Sequence, residues 1–151
     1  MTTGLWVLLG AVLLTLAVGG WRTAVDGRFG RGRTRVQQGS GDAATVPTTW
    51  SQVADALPGV VPGDRATLLQ FSTAFCAPCR ATRRTLAEVA ELVPGVVHVE
   101  VDAEQHLDVV RRLDVLRTPT TLVLDASGRE VSRAAGAPRK EQVLGALAEI
   151  V

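Results

Sequence analysis

Hydrophobic and polar residues follow three different periods along this chain. From Gly4 to Trp21 (GLWVLLGAVLLTLAVGGW) the pattern is apolar throughout and uncharged. As a helix, Thr2 to Trp21 would rise about 30 Å, the thickness of a bilayer's hydrocarbon core. Trp6 and Trp21 fall near its ends, where indole rings favour the headgroup region. A cleaved signal peptide would need a basic residue before the apolar run and a small-x-small site after it. Met1 to Thr3 hold no Lys or Arg, and Val18-Gly19-Gly20 is a poor site, so residues 4–21 are predicted to be a single transmembrane helix. Thr34 to Pro47 (TRVQQGSGDAATVP) has little to bury and reads as flexible. Residues 22–47 are therefore expected to be a basic juxtamembrane segment and linker, with the folded domain at 48–151.

Within that domain the period shortens. Thr48-Thr49 offers an N-cap, and Trp50, Val53, Ala54 and Leu57 recur at helical spacing before Pro58-Gly59. Ala66 to Thr73 (ATLLQFST) is a strand-length apolar run, and the helix predicted over Cys79 to Val93 has Leu86, Val89, Ala90 and Val93 on one face. Val96 to Val101 (VVHVEV) is dense in β-branched residues, and Ala103 to Leu113 is helix-like. Thr120 to Leu124 and Glu130 to Ala134 flank a Ser127-Gly128 turn and predict an antiparallel hairpin. Pro138 to Val151 closes the chain as a helix. The order β-α-β-α-β-β-α predicts a three-layer α/β/α sandwich around a mixed sheet.

Charge refines this picture. The net charge is +1, yet Arg22, Arg28, Arg31, Arg33 and Arg35 face only Asp26 within residues 1–35, which leaves 11 basic against 14 acidic residues beyond. Such a body has no broad basic face for nucleic acid. The arginine cluster instead reads as a stretch drawn to anionic lipid, and since it follows the apolar run it places the domain on the cytoplasmic side. Abundant Arg, Ala, Val and Gly with a single lysine suggest a high-GC bacterial source, hence a bacterial cell membrane.

The chain has two cysteines, three residues apart. A Cys-x-x-Cys at a helix start sets both sulfurs on one turn, where a disulfide can close and reopen. A zinc site completed by His98 and His106 is disfavoured, because seven residues separate the histidines where zinc fingers have roughly three to five. No metal and no cofactor is expected beyond the redox-active disulfide.

FSTAFCAPCR after the first strand, TPT before the hairpin and Gly136 before the last helix resemble the thioredoxin family over roughly Thr48 to Val151. The resemblance implies a thioredoxin-like fold and a thiol-disulfide oxidoreductase of the protein-disulfide reductase type. Cys76, favoured as thiolate by the helix N-terminus and Arg80, is the expected nucleophile. Cys79, one turn in, is the expected resolving thiol. Thr118-Pro119 matches the family's cis-proline loop, and with Phe75, Ala77 and Pro78 it would border the substrate. Implied partners are a disulfide-bearing protein, an electron-donating reductase or membrane partner, and the lipid bilayer. Gln70 stands where the family has a buried aspartate and His98 where it has a lysine, so His98 is a candidate proton relay, acting with Gln70 or a water. Phe75 replaces a tryptophan, Ser72 stands where a second is common, and Arg84 replaces a helix-kinking proline. Two other readings share these residues: an extracytoplasmic exchange protein for envelope or cytochrome maturation, and a non-catalytic binding module.

Overall fold

The apolar stretch is helical. Helix α1 runs Thr2–Val25 in the computed structural model, which describes residues 2–25, 27–31 and 47–150. Its leucines, valines and both tryptophans between Trp6 and Trp21 are largely exposed. Thr15 Oγ1 donates back to the Ala11 and Val12 carbonyls at 3.0 and 2.8 Å, which satisfies the hydroxyl within the helix. Among the described residues, no helix is long and apolar enough to cross a membrane, so the structure lends the transmembrane expectation no support. Arg33, Arg35 and most of the expected linker lie outside the described residues.

The rest of the chain runs β1 (Phe29–Arg31), α2 (Thr49–Ala54), β2 (Ala66–Ser72), α3 (Ala77–Leu92), β3 (Val96–Asp102), α4 (Leu107–Arg112), β4 (Thr120–Asp125), β5 (Glu130–Ala135) and α5 (Lys140–Ala148). The sheet order is β1-β5-β4-β2-β3. Only β2 and β3 are parallel; the other pairings are antiparallel. The expected three layers and mixed sheet are present.

Strand parity explains the layers. Leu69 and Phe71 of β2 join Val99 and Val101 of β3 in a cluster closed by Val53, Val109 and Leu113 from the α2 and α4 side. Ala66 and Leu68 point the other way and meet Leu86 and Val89 of α3 and Val143 and Leu147 of α5. Gln70, Ser72, His98, Glu100 and Asp102 share this second parity, so a polar strip lies under the start of α3.

Three elements depart from expectation. Strand β1 lies inside the segment read as juxtamembrane and pairs with β5, Phe29 opposite Ala134 and Arg31 opposite Ser132. Gly27 makes the approach possible. Its φ is +78°, its N–H donates to the Ala135 carbonyl at 2.9 Å, and a Cβ there would collide with the Ala137 carbonyl. The sheet therefore takes in residues 29–31, which lie within the 22–47 segment read from the sequence as linker; three residues are too few to show a period. Helix α4 is also shorter than the expected 103–113. The Asp102 carboxylate accepts from the Glu104 N–H and from Gln105 Nε2, both at 2.8 Å, and this turn delays the helix. Helix α2 stops at Ala54 but begins as expected, with Thr48 Oγ1 accepting from the Ser51 N–H at 3.1 Å.

Candidate active site

The polar strip, the first turn of α3 and the loop before β4 meet at one end of the sheet. Cys76 is the N-cap of α3, with extended backbone angles, and Pro78 sits in the first turn where its missing N–H has no role. Cys76 and Cys79 are disulfide-bonded, 2.03 Å between sulfurs and 5.2 Å between Cα atoms. Cys76 Sγ also accepts the Cys79 N–H at 3.1 Å, so a backbone donor already points at the sulfur that would carry charge after reduction. Cys79 is 1% exposed, while Cys76 is half-buried and Ala77 and Pro78 are exposed.

The loop before β4 comes beside this turn, with Thr73 Oγ1 and Thr118 Oγ1 3.4 Å apart. The Thr118-Pro119 peptide is cis, in keeping with the expectation for that loop. The Pro119 carbonyl accepts from the Gly136 N–H at 2.8 Å, which fixes the loop to the end of β5. Two large apolar side chains stand out: Phe75 before the first cysteine, 97% exposed, and Leu116 before the loop, 86% exposed. Leu116 was not among the residues picked out from the sequence; an exposed leucine has no signature there.

Behind the disulfide, Gln70 is fully buried with both ends of its amide engaged. Its Nε2 donates to the Cys79 carbonyl at 3.0 Å, and its Oε1 accepts from His98 Nε2 at 3.1 Å. Burial holds the His98 pKa below its ordinary 6.5, an effect that nearby Glu100 opposes and Arg83 reinforces, so the ring is neutral at pH 7. His98 thus contacts Gln70 and neither cysteine. An amide that cannot ionise lies between them, so a relay from His98 to Cys79 would have to run by way of Gln70 or a water.

On the outer side of Cys79 lies a recess of about 380 Å³ bordered by Ser72, Arg80, Arg83, Glu100 and Asp102. Glu100 Oε1 accepts from Ser72 Oγ at 2.5 Å and from Arg83 Nη2 at 2.6 Å. Sequence reading missed Glu100, Arg83 and Asp102. Their signal was the alternation His98-Glu100-Asp102 on one face of a strand expected to be covered by a helix. Among the described residues, no three His, Cys, Asp or Glu side chains gather closely enough to hold a metal ion.

A family model described as Thioredoxin matches residues 51–149. The chain belongs to the thioredoxin family. Among curated proteins it is similar to thioredoxin H4-1 of Oryza sativa subsp. japonica, 31% identical over 84 residues that cover 54% of this chain and 63% of that protein. It is also 30% identical over 92 residues to a thioredoxin of Alicyclobacillus acidocaldarius, covering 60% of this chain and 87% of that one. The solved thioredoxin of Fasciola hepatica superposes with a TM-score of 0.52 at 24% identity, over 59% of this chain and 84% of the other, a likeness of fold. The chain spans less than two thirds of the length of some of these relatives, and α1 and β1 precede the residues matched by the thioredoxin model. Residues 51–149 form a thiol-disulfide oxidoreductase domain of the thioredoxin type, with Cys76 and Cys79 as its disulfide.

Proposed function

We propose that this chain reduces protein disulfides, with Cys76 as nucleophile and Cys79 as resolving thiol. One observation carries the assignment: Cys76 Sγ, at the accessible N-cap of α3, receives a backbone N–H, whereas Cys79 is buried one turn deeper. The Cys76 thiolate attacks one sulfur of a substrate disulfide, forms a mixed disulfide and expels the other sulfur as thiolate. The Cys79 thiolate then attacks Cys76 Sγ, closes the internal disulfide and expels the second substrate thiolate. Two electrons pass to the substrate, and a dithiol reductase must return them to the pair.

In this reading Phe75, Ala77, Pro78, Thr118 and Pro119 border the substrate chain. Among the described residues the Thr118 peptide N–H and carbonyl have no protein partner, which suits pairing with an extended segment. His98 enters as a positioning residue that fixes Gln70, and through it the Cys79 carbonyl. Reduced Cys79→Ser protein is expected to trap a covalent adduct with disulfide-intact insulin, and reduced Cys76→Ser protein none. The reverse pattern sinks the assignment of roles.

We further propose that residues 4–21 anchor the protein in a bacterial membrane with the domain on the cytoplasmic side. The uncharged stretch and the arginines after it support this reading. Carbonate-resistant membrane pelleting, with the domain shielded from protease in intact cells and cleaved in inverted vesicles, is the expected result. Recovery in the soluble fraction rules out the anchor, and cleavage in cells whose outer layers alone are opened rules out the orientation. A reducing potential against glutathione buffers fits the cytoplasmic side, and an oxidising one fits the opposite face.

A further inference from the structure

A resolving thiol has to lose its proton before it can attack, and an ordinary thiol, with a pKa of about 8.5, is largely protonated at neutral pH. Toward the interior, Cys79 meets no proton acceptor that ionises among the described residues. Gln70 gives its amide hydrogen to the Cys79 carbonyl, His98 lies beyond Gln70, and Thr82 Oγ1 donates to the Pro78 carbonyl at 3.0 Å. Toward solvent, Cys79 borders the recess, and the charged groups there come from two elements, Arg80 and Arg83 from α3 and Glu100 and Asp102 from β3. The guanidinium groups of both arginines are donors with no acceptor to offer. Asp102 has both oxygens committed, to the Glu104 N–H and to Gln105 Nε2. Glu100 takes both of its hydrogen bonds on Oε1, which leaves Oε2 without a partner among the described residues.

We propose that Glu100 is the proton acceptor for Cys79 during resolution, reached through water in the recess. The inference rests on the reading of Cys79 as resolving thiol. The Cys79 S–H proton passes through water to the Glu100 carboxylate as the Cys79 sulfur attacks Cys76 Sγ. The Cys79–Cys76 bond forms, the bond from Cys76 to the substrate sulfur breaks, and the departing thiolate or bulk water takes the proton from Glu100. Arg83 and Ser72 hold the carboxylate in place as positioning residues, and the Arg83 charge beside the recess favours the ionised sulfur.

The test follows formation and decay of the Cys76 mixed disulfide separately. The full reduced chain is mixed rapidly with insulin and acid-quenched at intervals from pH 5.5 to 9. With Glu100→Gln, formation keeps its rate and resolution slows about tenfold to a hundredfold at pH 6–7, the range for a positioned proton acceptor. The gap closes toward pH 9, where the thiolate forms unaided, and added imidazole restores part of the lost rate. Glu100→Asp retains most of the rate. Arg83→Gln, which breaks the ion pair and leaves the carboxylate, loses less than Glu100→Gln. Unchanged resolution at pH 6–7 overturns the proposal, as does a pH-independent loss that imidazole does not relieve and Arg83→Gln reproduces. If even Cys79→Ser gives no Cys76 adduct, the reading of the cysteines has failed and the proton route falls with it.

Discussion

Replacing Gln70 by leucine tests whether the amide behind the disulfide carries structural weight. Gln70 is fully buried and bridges the Cys79 carbonyl and the His98 ring. The Cys79 carbonyl lies inside α3 and keeps its intrahelical donor, so the lost amide bond costs about 0.5–1.5 kcal/mol. His98 is half-buried and can recover a water, so its lost bond is worth no more than about 0.5–1 kcal/mol. Burying the leucine methyls in place of an amide returns on the order of 1 kcal/mol. The balance is a loss of about 1 kcal/mol, or roughly 5 °C in Tm for a domain of this size. Thermal unfolding of the oxidised protein followed by circular dichroism reads this directly. His98→Ala removes one of the two bonds and opens room for a water at Gln70 Oε1, so it should lower Tm by less. A Gln70→Leu variant that melts within about 2 °C of the parent, or one that melts above His98→Ala, would refute the reasoning.

Three further outcomes follow from the same geometry. Burial holds the His98 pKa below 6.5, so the unfolded chain binds more protons in the window just below that value; stability contributed by neutral His98 is present above pH 6.5 and lost as pH falls. His98→Gln should therefore flatten the decline in Tm between pH 7.5 and 5.5, and an unchanged slope counts against the assignment. Gly27→Ala forces a positive φ and a collision with Ala137, and is expected to release β1 at a loss of about 1–3 kcal/mol. Faster amide exchange along the outer edge of β5 would report that release, and unchanged exchange would contradict it. Phe75→Ala removes the most exposed aromatic beside the disulfide; KM for insulin should rise several-fold while reduction of a small disulfide keeps its rate, and equal losses on both would argue against a docking role.

The layers were legible because β2, β3 and α3 bury faces whose periods survive in the sequence, and the Cys-Ala-Pro-Cys turn was legible because its chemistry needs that spacing. Residues held by long-range register were not. Gln70 and Glu100 face each other across the parallel β2–β3 pair, and a carboxylate bonded to Ser72 and Arg83 from two elements leaves no local mark. Strand β1 escaped notice for a different reason. Phe29-Gly30-Arg31 has no strand signature of its own and becomes a strand only because β5 offers an open edge and Gly27 lets the chain turn onto it.

That turn changes how far the redox centre can wander. A leash of residues 22–47, behaving as a flexible coil, would let the domain range over roughly 28 Å. With β1 already stitched into the sheet at Phe29, only residues 26–28 separate α1 from it, and three residues reach at most about 10 Å. The glutamine- and glycine-containing stretch follows β1 in the chain, so it is not the connection between α1 and the sheet. An α1 held in a bilayer, as proposed, would keep the disulfide on a short stalk, and substrates would have to travel to it.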